Sequence, residues 1–250
     1  MYHQKEAAKV MTRKLLFGTL CAVVVLTATR AEAQIYFQDD FEDPAASAEK
    51  WADLWGTWEV VDGEYQQSEG VPNAMSVVAD EFWDDAIDDY TFEVRGKKTG
   101  GAEGFLIMFR LRGMMDPRGQ ALRDHPPLMA AQAPSLEYWW NLGGWGNTRS
   151  QVESWGGVGG ANSAHTIETD DWYTIRILST PTDWTLIIND EEVANMADAT
   201  QDGLGRVGLA TWSTQASYDD VLVYGPDGPL AVDPAGKAST TWAKVKTRRR

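Results

Sequence analysis

Apolar and polar residues alternate in short runs along most of the chain, which is the pattern of half-buried β-strands. In the run 172–177, the apolar residues Tyr173, Ile175 and Ile177 alternate with polar side chains. A helical period is never sustained beyond a turn or two, and Ser47–Trp55 is the best candidate for a short helix. The pattern therefore predicts an all-β chain.

Twelve such runs are predicted as strands. They are 57–61, 64–68, 74–79, 90–97, 104–112, 136–142, 147–155, 172–178, 184–188, 192–196, 206–211 and 218–224. Asp62-Gly63 is typical of a hairpin turn, and Asn189-Asp190 is predicted to form another tight turn. So many short strands predict a β-sandwich of two antiparallel sheets. The stretch 114–134 contains four Pro residues and is predicted to be a surface loop.

The N-terminal segment has the features of a secretory signal peptide. Basic residues precede the mostly apolar run 15–27, and Ala31-Glu32-Ala33 follows as an A-x-A cleavage site, with Met11 as the expected start. The apolar run is shorter than the roughly 20 residues of a membrane-spanning helix. We therefore expect a secreted protein, extracellular or periplasmic, with no integral membrane segment after signal removal; an uncleaved membrane anchor is the alternative.

Charge divides the chain into three parts. The whole sequence has a formal net charge of −15. Residues 34–228 hold 11 Lys and Arg against 34 Asp and Glu, a net charge of −23, whereas both ends are positive. We predict a signal peptide over 1–33, one folded domain over 34–228 and a basic, flexible tail over 229–250. The tail is either solvated or attaches electrostatically to a cell-surface partner.

The acidic domain also narrows the classes of ligand. A nucleic-acid-binding surface needs clustered Lys and Arg, so no nucleic-acid partner is expected. Neutral glycans are not repelled by negative charge. The one Cys of the sequence, Cys21, lies in the predicted signal, which excludes a disulfide framework.

Several runs resemble laminin-G-like, concanavalin A-like jelly-roll domains. They are Asp39–Glu42, Trp58–Tyr65, Tyr90–Val94, Gly104–Arg110 and Tyr218–Val223. The run Tyr138–Arg149 is similar to a stretch of the non-catalytic jelly-roll domain attached to bacterial family 51 α-L-arabinofuranosidases. The resemblance implies a concanavalin A-like jelly-roll β-sandwich that binds a polysaccharide, with arabinose-containing chains as the expected class. It does not imply hydrolysis, because 250 residues leave no room for the catalytic barrel of those enzymes.

The run 138–149 combines aromatic rings with hydrogen-bonding side chains. A neutral sugar packs its apolar C–H faces on aromatic rings and bonds its hydroxyls to amides, Arg and carboxylates. The candidate ligand-binding residues are Tyr138, Trp140, Asn141, Trp145, Asn147 and Arg149, with Glu93 and Arg110 as polar groups of a concave sheet. Alternatively, the run is a packed hairpin whose Trp side chains belong to the core.

Catalytic motifs are weak. Retaining β-glucanases on this fold carry E-x-D-x-E or a close variant on one strand, which puts the carboxylates on one face. Glu168-Thr169-Asp170-Asp171 begins such a run, but the following Glu is missing and the context predicts a loop. G-x-S-x-G and H-E-x-x-H are absent. A small glycoside hydrolase and a laminin-G-like adhesion module remain the alternatives.

Acidic residues near both ends of the domain suggest calcium. Asp39 and Glu42 lie near the first strand, and Asp220 lies in the last. The first and last strands of jelly rolls commonly pair, which would bring these oxygens together. Ca²⁺ takes six to eight oxygen ligands, so carboxylates and backbone carbonyls would serve. The pattern allows a structural Ca²⁺ held by Asp39, Glu42 and Asp220, but solvated surface acids are the favoured interpretation.

Overall fold

The computed structural model describes residues 34–112, 136–155, 157–199 and 203–228. The predicted signal peptide, the stretch 114–134 and the basic tail 229–250 lie outside this part of the chain. Every helix within these ranges is too short or too polar to cross a membrane.

Fifteen strands form across the described ranges. They are β1 (Ile35–Asp39), β2 (Trp51–Trp55), β3 (Trp58–Val61), β4 (Glu64–Gln67), β5 (Ala74–Val78), β6 (Tyr90–Gly101), β7 (Phe105–Arg112), β8 (Leu136–Gly143), β9 (Arg149–Trp155), β10 (Gly160–Ser163), β11 (Trp172–Ser179), β12 (Asp183–Ile188), β13 (Glu191–Ala197), β14 (Arg206–Thr211) and β15 (Thr214–Tyr224). Helix α1 (Pro44–Lys50), a 3₁₀ turn (Asp80–Phe82) and a helical turn (Gly144–Asn147) complete the elements.

The strands form two antiparallel sheets, as the sequence predicts. Sheet A has the order β13-β12-β11-β6-β15-β4-β3, and β1 also pairs with β15. Sheet B has the order β10-β9-β8-β7-β14-β5-β2. Neighbours in space are often distant in sequence, which is typical of jelly-roll connections.

All twelve predicted strands are present, whereas the predicted helix is wrong over half its length. The helix begins earlier, at Pro44, because the Asp43 carboxylate accepts hydrogen bonds from the N–H groups of Ala45 and Ala46. It ends at Lys50, and Trp51–Trp55 instead pairs with β5 as strand β2. Sheet pairing thus overrides the weak helical signal. Strands β1 and β10 were also missed.

The two predicted tight turns are confirmed. Asp62 and Gly63 have φ values of 53° and 76°, and Asn189 and Asp190 have 49° and 68°. Two consecutive left-handed residues define a type I′ turn, whose twist matches that of the flanking strands. These turns fix the register of β3 on β4 and of β12 on β13.

The main core lies between the sheets and is rich in aromatic side chains. Phe109 packs edge-on against Trp184 with ring centroids 5.8 Å apart, and Phe105 packs against Tyr218 at the same distance. Sheet A is apolar on this inner face and polar outside, so burial alternates along β6 and β12. Sheet B differs, because β5 and β14 are buried at every position.

A second apolar cluster accounts for the buried outward positions of sheet B. Its members are Leu54, Met75, Val77, Leu106, Met108, Leu111, Trp139 and Ala210. The strand register aligns them in rows across the sheet. One row runs from Asn141 through Leu106, Ala210 and Met75 to Trp55. We call this side of the sheet the outer face of sheet B.

The first and last strands pair, as expected for a jelly roll. Asp39 of β1 is the partner of Val221 in β15, and the Gly225 N–H donates to the Gln34 carbonyl at 2.9 Å. The beginning and end of the described domain therefore lie side by side.

Candidate aromatic and polar site on the outer face of sheet B

The hairpin of β8 and β9 turns through an unusual run of left-handed residues. Gly143, Trp145, Gly146 and Asn147 have φ values of 65°, 52°, 71° and 59°. The turn is closed by the Thr148 N–H, which donates to the Gly144 carbonyl at 3.0 Å. A left-handed Trp is rare and costs conformational energy, and here it holds the indole outside the core.

Two predicted sugar-stacking rings lie in the core instead. Tyr138 and Trp140 are fully buried. Tyr138 packs on Phe109 with ring centroids 5.0 Å apart, and its hydroxyl donates to the carboxylate of Asp198. These two rings cannot stack on a sugar, so the alternative of a packed core is correct for them. Strand alternation grouped them on one face correctly, but that face points inward.

Trp145 and Arg149 meet at the surface. The Trp145 side chain is 37% exposed. The Arg149 guanidinium lies over its ring, 4.0 Å from the centroid. Arg149 faces outward from β9, since the next residue, Ser150, is buried and donates to the His165 carbonyl. The pair combines an apolar ring with a fixed cation, both within reach of a ligand.

Asn141 lies on the same outer face but deeper. It is only 6% exposed, and its Oδ1 has no hydrogen-bond partner in the structure. Gly144 packs so closely on this amide that a Cβ there would come within 2.6 Å of it. A buried acceptor without a donor is costly. Gly144 covers this one, so a ligand hydroxyl would reach it only if the turn moved.

Asn147, in contrast, holds the turn in place. Its Nδ2 donates to the Ile167 carbonyl at 2.8 Å, and its Oδ1 accepts from the Ile167 N–H at 2.7 Å. Both ends of the amide are used within the protein. We therefore correct its assignment from a ligand-binding residue to one that ties the turn to the loop before β11.

Glu93 and Arg110 lie away from this site. Glu93 is on the outer face of sheet A, where its carboxylate is 2.9 Å from Nε of Arg176. Arg110 has no exposed surface and forms a buried ion pair with Asp198 at 3.3 Å. Of the 138–149 hairpin, Arg110 contacts the buried ring of Tyr138, 5.7 Å from its centroid, and Glu93 belongs to the other sheet, so their prediction as ligand-binding groups is corrected.

Glu153 and Gln151 join the site although they were not predicted. In β9, Gln151 is the register partner of Asn141, and Glu153 is the partner of Trp139. Counting every second residue from Arg149 would have found both, because alternate residues share a face. With Gly159 and Gly160 they line a shallow depression beside the hairpin.

Glu103 contributes a second carboxylate from the loop between β6 and β7. Its Oε1 accepts a hydrogen bond from the Gly146 N–H at 3.1 Å. Burial raises the pKa of Glu153, the charge of Glu103 raises it further, and Arg149 lowers it. The site thus contains two carboxylates whose charges interact, one guanidinium, one unpartnered amide oxygen and an exposed indole. They belong to Glu103, Glu153, Arg149, Asn141 and Trp145.

Comparison with known proteins decides the class of this fold. Protein-family models give no match to the chain. The extracellular exo-α-L-arabinofuranosidase of Streptomyces chartreusis is 33% identical over 175 residues, covering 68% of this chain but 18% of that enzyme. The carbohydrate-binding module CBM66 from Bacillus subtilis matches with a TM-score of 0.50 at 14% identity, over 70% of this chain and 94% of that one.

Two further structures have the same architecture. A Bacillus subtilis protein of unknown function with a galectin-like fold gives a TM-score of 0.54 at 12% identity, covering 78% and 97% of the two chains. The family GH16 endo-β-1,3(4)-glucanase SCLam gives 0.53 at 11% identity, covering 78% and 91%. The domain is a jelly roll. The resemblance drawn from its sequence is confirmed at the level of fold.

The jelly roll leaves the Glu168–Asp171 run in a loop. Within it, the Asp170 N–H donates to the Lys98 carbonyl at 2.8 Å. The prediction of a loop for this run is therefore confirmed, and its carboxylates do not lie on one face of a strand.

Two of the three expected calcium ligands, Asp39 and Asp220, are bonded to the protein's own groups, and the third, Glu42, is exposed. Asp39 is buried and accepts hydrogen bonds from Ser47, Lys50 and the Trp51 indole at 2.9–3.2 Å. Asp220 pairs with Arg95 at 3.2 Å. Among the described residues, no three His, Cys, Asp or Glu side chains are grouped closely enough for a metal. This arrangement does not fit a cation that takes six to eight oxygens.

Proposed function

We propose that this jelly roll is a secreted carbohydrate-binding domain that takes a neutral, arabinose-containing polysaccharide on the outer face of sheet B. The observation that carries the proposal is the exposed Trp145 ring beneath Arg149, beside the unpartnered oxygen of Asn141. Ring, guanidinium and amide are the groups that a sugar requires, a flat apolar face with hydrogen-bonding groups beside it.

The charge of the domain supports a neutral ligand. Residues 34–228 carry a net charge of −23, which repels polyanionic chains at long range. Glu103 and Glu153 add local negative charge to the site, and both accept hydrogen bonds from hydroxyl groups. Binding should therefore depend little on salt concentration, because a neutral ligand carries no charges for the salt to screen.

The likeness to the Streptomyces enzyme supports the ligand class and the location. That enzyme is named as an extracellular exo-α-L-arabinofuranosidase, which describes an exported enzyme that acts on arabinofuranosides. This chain spans less than a fifth of that enzyme's length, so the match concerns a part of it. The secretory features of residues 1–33 support export of the same kind.

Affinity electrophoresis tests the proposal. The domain is run in gels containing linear arabinan, arabinoxylan, xylan or β-1,3-glucan, and we expect retardation by an arabinose-containing chain. Trp145→Ala should weaken binding about tenfold, the effect of losing about 1.4 kcal/mol of contact. Trp172→Ala is the matched control, because this Trp also lies under cations, Arg95 and Lys97, but on sheet A.

The outcomes separate cleanly. Migration that no glycan alters would overturn carbohydrate binding. Retardation that persists in a folded Trp145→Ala variant would place the site elsewhere on the domain. Binding that falls steeply with added salt would point to an anionic ligand instead of a neutral one.

A second candidate, a small glycoside hydrolase, is favoured by the two carboxylates. Glycoside hydrolysis uses a pair of carboxyl groups, one of which has a raised pKa and acts as acid. Glu153 has a raised pKa and senses the charge of Glu103. Release of reducing sugar by the purified domain, lost in Glu153→Gln, would support this function; undetectable release from a glycan that binds would exclude it.

A further inference from the structure

Three exposed indoles stand out on a domain that buries most of its aromatic residues. Trp55, Trp145 and Trp212 are 42%, 37% and 42% exposed. Exposed Trp side chains commonly mark binding surfaces, because a large flat ring gains contact area with little loss of side-chain entropy.

The strand register brings the three rings to one end of sheet B. Trp55 ends β2 and is the partner of Met75, which belongs to the outward cluster. Trp145 lies in the turn after β8, at the same end of the sheet. Trp212 directly follows β14, whose residue Ala210 pairs with Met75.

Two of the three also lie toward the outer side of that end. Trp55 shares the face of Met75, and Trp145 lies under the outward-facing Arg149. Trp212 lies in the bend directly after Thr211, the last residue of β14, and its ring is exposed there. We call this set, Trp55, Trp145 and Trp212, the tryptophan row.

The spacing of the row is regular. Strand β14 is two strands from β2 and two strands from β8 in the order of sheet B. Neighbouring strands are about 4.8 Å apart, so the row spans about 19 Å with Trp212 near its middle. This is the reach of a chain of several sugar units, and much more than one unit covers.

The chemistry of the row suits a neutral chain. The positions aligned between the rings, Leu106, Ala210 and Met75, carry no charge and are buried, so a bound chain would contact the exposed rings themselves. Stacking on indole rings favours the C–H faces of neutral sugars over charged groups.

We infer that the tryptophan row is an extended site of at least three aromatic contacts for a linear neutral glycan chain, running across the end of sheet B. This inference rests on the proposed function and extends it, because it specifies a polymer laid across four strand spacings instead of a single sugar at Trp145. Trp145 with Asn141 and Arg149 forms the contact that any sugar fills, and Trp212 and Trp55 are reached only by longer chains.

Calorimetric titration with an arabinan ladder, from disaccharide to octasaccharide, tests the inference. We expect the octasaccharide to bind about tenfold to a hundredfold more tightly than the disaccharide. Trp55→Ala and Trp212→Ala should each weaken octasaccharide binding about threefold to tenfold and leave disaccharide binding unchanged. Trp145→Ala should weaken binding of both. Phe82→Ala is the control, because Phe82 is 38% exposed but follows the opposite end of β5.

A measurement on the unaltered protein avoids dependence on folding of the variants. Mild oxidation of exposed indoles, located by peptide mass spectrometry, should be blocked at all three positions by the octasaccharide. The disaccharide should protect Trp145 alone.

The possible results distinguish the extended tryptophan row from a single sugar site at Trp145. If affinity does not change with chain length and the Trp55 and Trp212 variants bind normally, the row is overturned while the site at Trp145 stands. If no glycan binds at all, both are overturned. If the variants change the oligomeric state measured by light scattering instead of glycan affinity, the row is a contact between copies of the chain and the inference is wrong.

Discussion

Arg110 is a cation with no exposed surface. Its guanidinium donates to the Ser179 hydroxyl at 2.8 Å and to the carbonyls of Thr180 and Asp183 at 2.6 Å, and it pairs with Asp198. These bonds join β7 to the β11–β12 turn, across the two sheets. A sequence shows that an Arg lies in a strand, but not that its partners converge from residues some 70 to 90 positions later.

Arg110→Met should destabilise the domain strongly. Removal of one partner of a buried ion pair leaves the other charge uncompensated, which costs about 3–5 kcal/mol. Arg176→Met is the control, because its pairs with Glu93 and Asp190 are partly exposed and should contribute under about 1 kcal/mol. Urea unfolding of both variants measures the difference; equal losses would contradict it.

Glu153 should make stability depend on pH. Its pKa is raised in the folded domain by burial and by Glu103, so the folded state holds a proton that the unfolded state has lost. Stability must then fall as pH rises from the ordinary value of 4.5 to the raised pKa. Glu153→Gln should remove this fall and be more stable than the native domain at neutral pH.

Thermal melts across that pH window measure the effect. Glu168→Gln serves as the control, since its carboxyl lies in an exposed loop. A native domain and a Glu153→Gln variant with parallel pH profiles would show that the carboxyl is not perturbed.

At the scale of elements, the strands were predictable and their faces were not. Alternation in 136–142 and 147–155 located β8 and β9 within two residues and grouped their side chains correctly. It could not tell that Tyr138 and Trp140 face the core, because both faces of β8 carry large aromatic residues. The helix predicted at 47–55 is wrong for a related reason. Trp51–Trp55 forms hydrogen bonds with β5, and the local sequence does not show a pairing with a distant strand.

The turn of the β8–β9 hairpin gives a matched pair of glycine variants. Gly143 and Gly146 both have left-handed φ values, so Ala at either position costs about 1–2 kcal/mol of backbone strain. A Cβ on Gly143 would also lie 2.4 Å from Asn147 Oδ1, whereas one on Gly146 meets no neighbour.

Gly143→Ala should therefore be clearly less stable than Gly146→Ala. It should also loosen the contacts of Asn147 with Ile167 and weaken glycan binding at Trp145. Chemical denaturation and the arabinan gel measure the two effects. If the two variants are equally stable, the close packing of Gly143 on Asn147 is wrong.

At the scale of the whole molecule, the closure of the jelly roll uses the residues that suggested calcium. The pairing of first and last strands was predicted correctly, and it does bring β1 beside β15. What the sequence could not show is that Asp39 turns inward to Ser47, Lys50 and Trp51. The acids near Asp39 and Asp220 are neighbours along the ladder but satisfy different partners.

Thermal melting with and without EDTA tests the calcium prediction. A cation bound only by the folded state raises the melting temperature, so its removal lowers it. Because Asp39 is satisfied by protein donors, we expect EDTA to leave the melting temperature unchanged. A fall that added Ca²⁺ reverses would restore the calcium site, and Asp39→Asn would then locate it.

The two ends of the described chain lie side by side, and this determines how the domain can be attached to another structure. Gln34 and Gly225 are joined by a hydrogen bond, and Tyr224 pairs with Thr91 at the start of β6. Glu103, at the candidate site, follows the other end of that strand, roughly 35 Å away along its length. A segment continuing from the C-terminal end would leave the domain at the end opposite the candidate site. Attachment through that segment would keep the tryptophan row facing outward, where it can contact an insoluble wall or fibre.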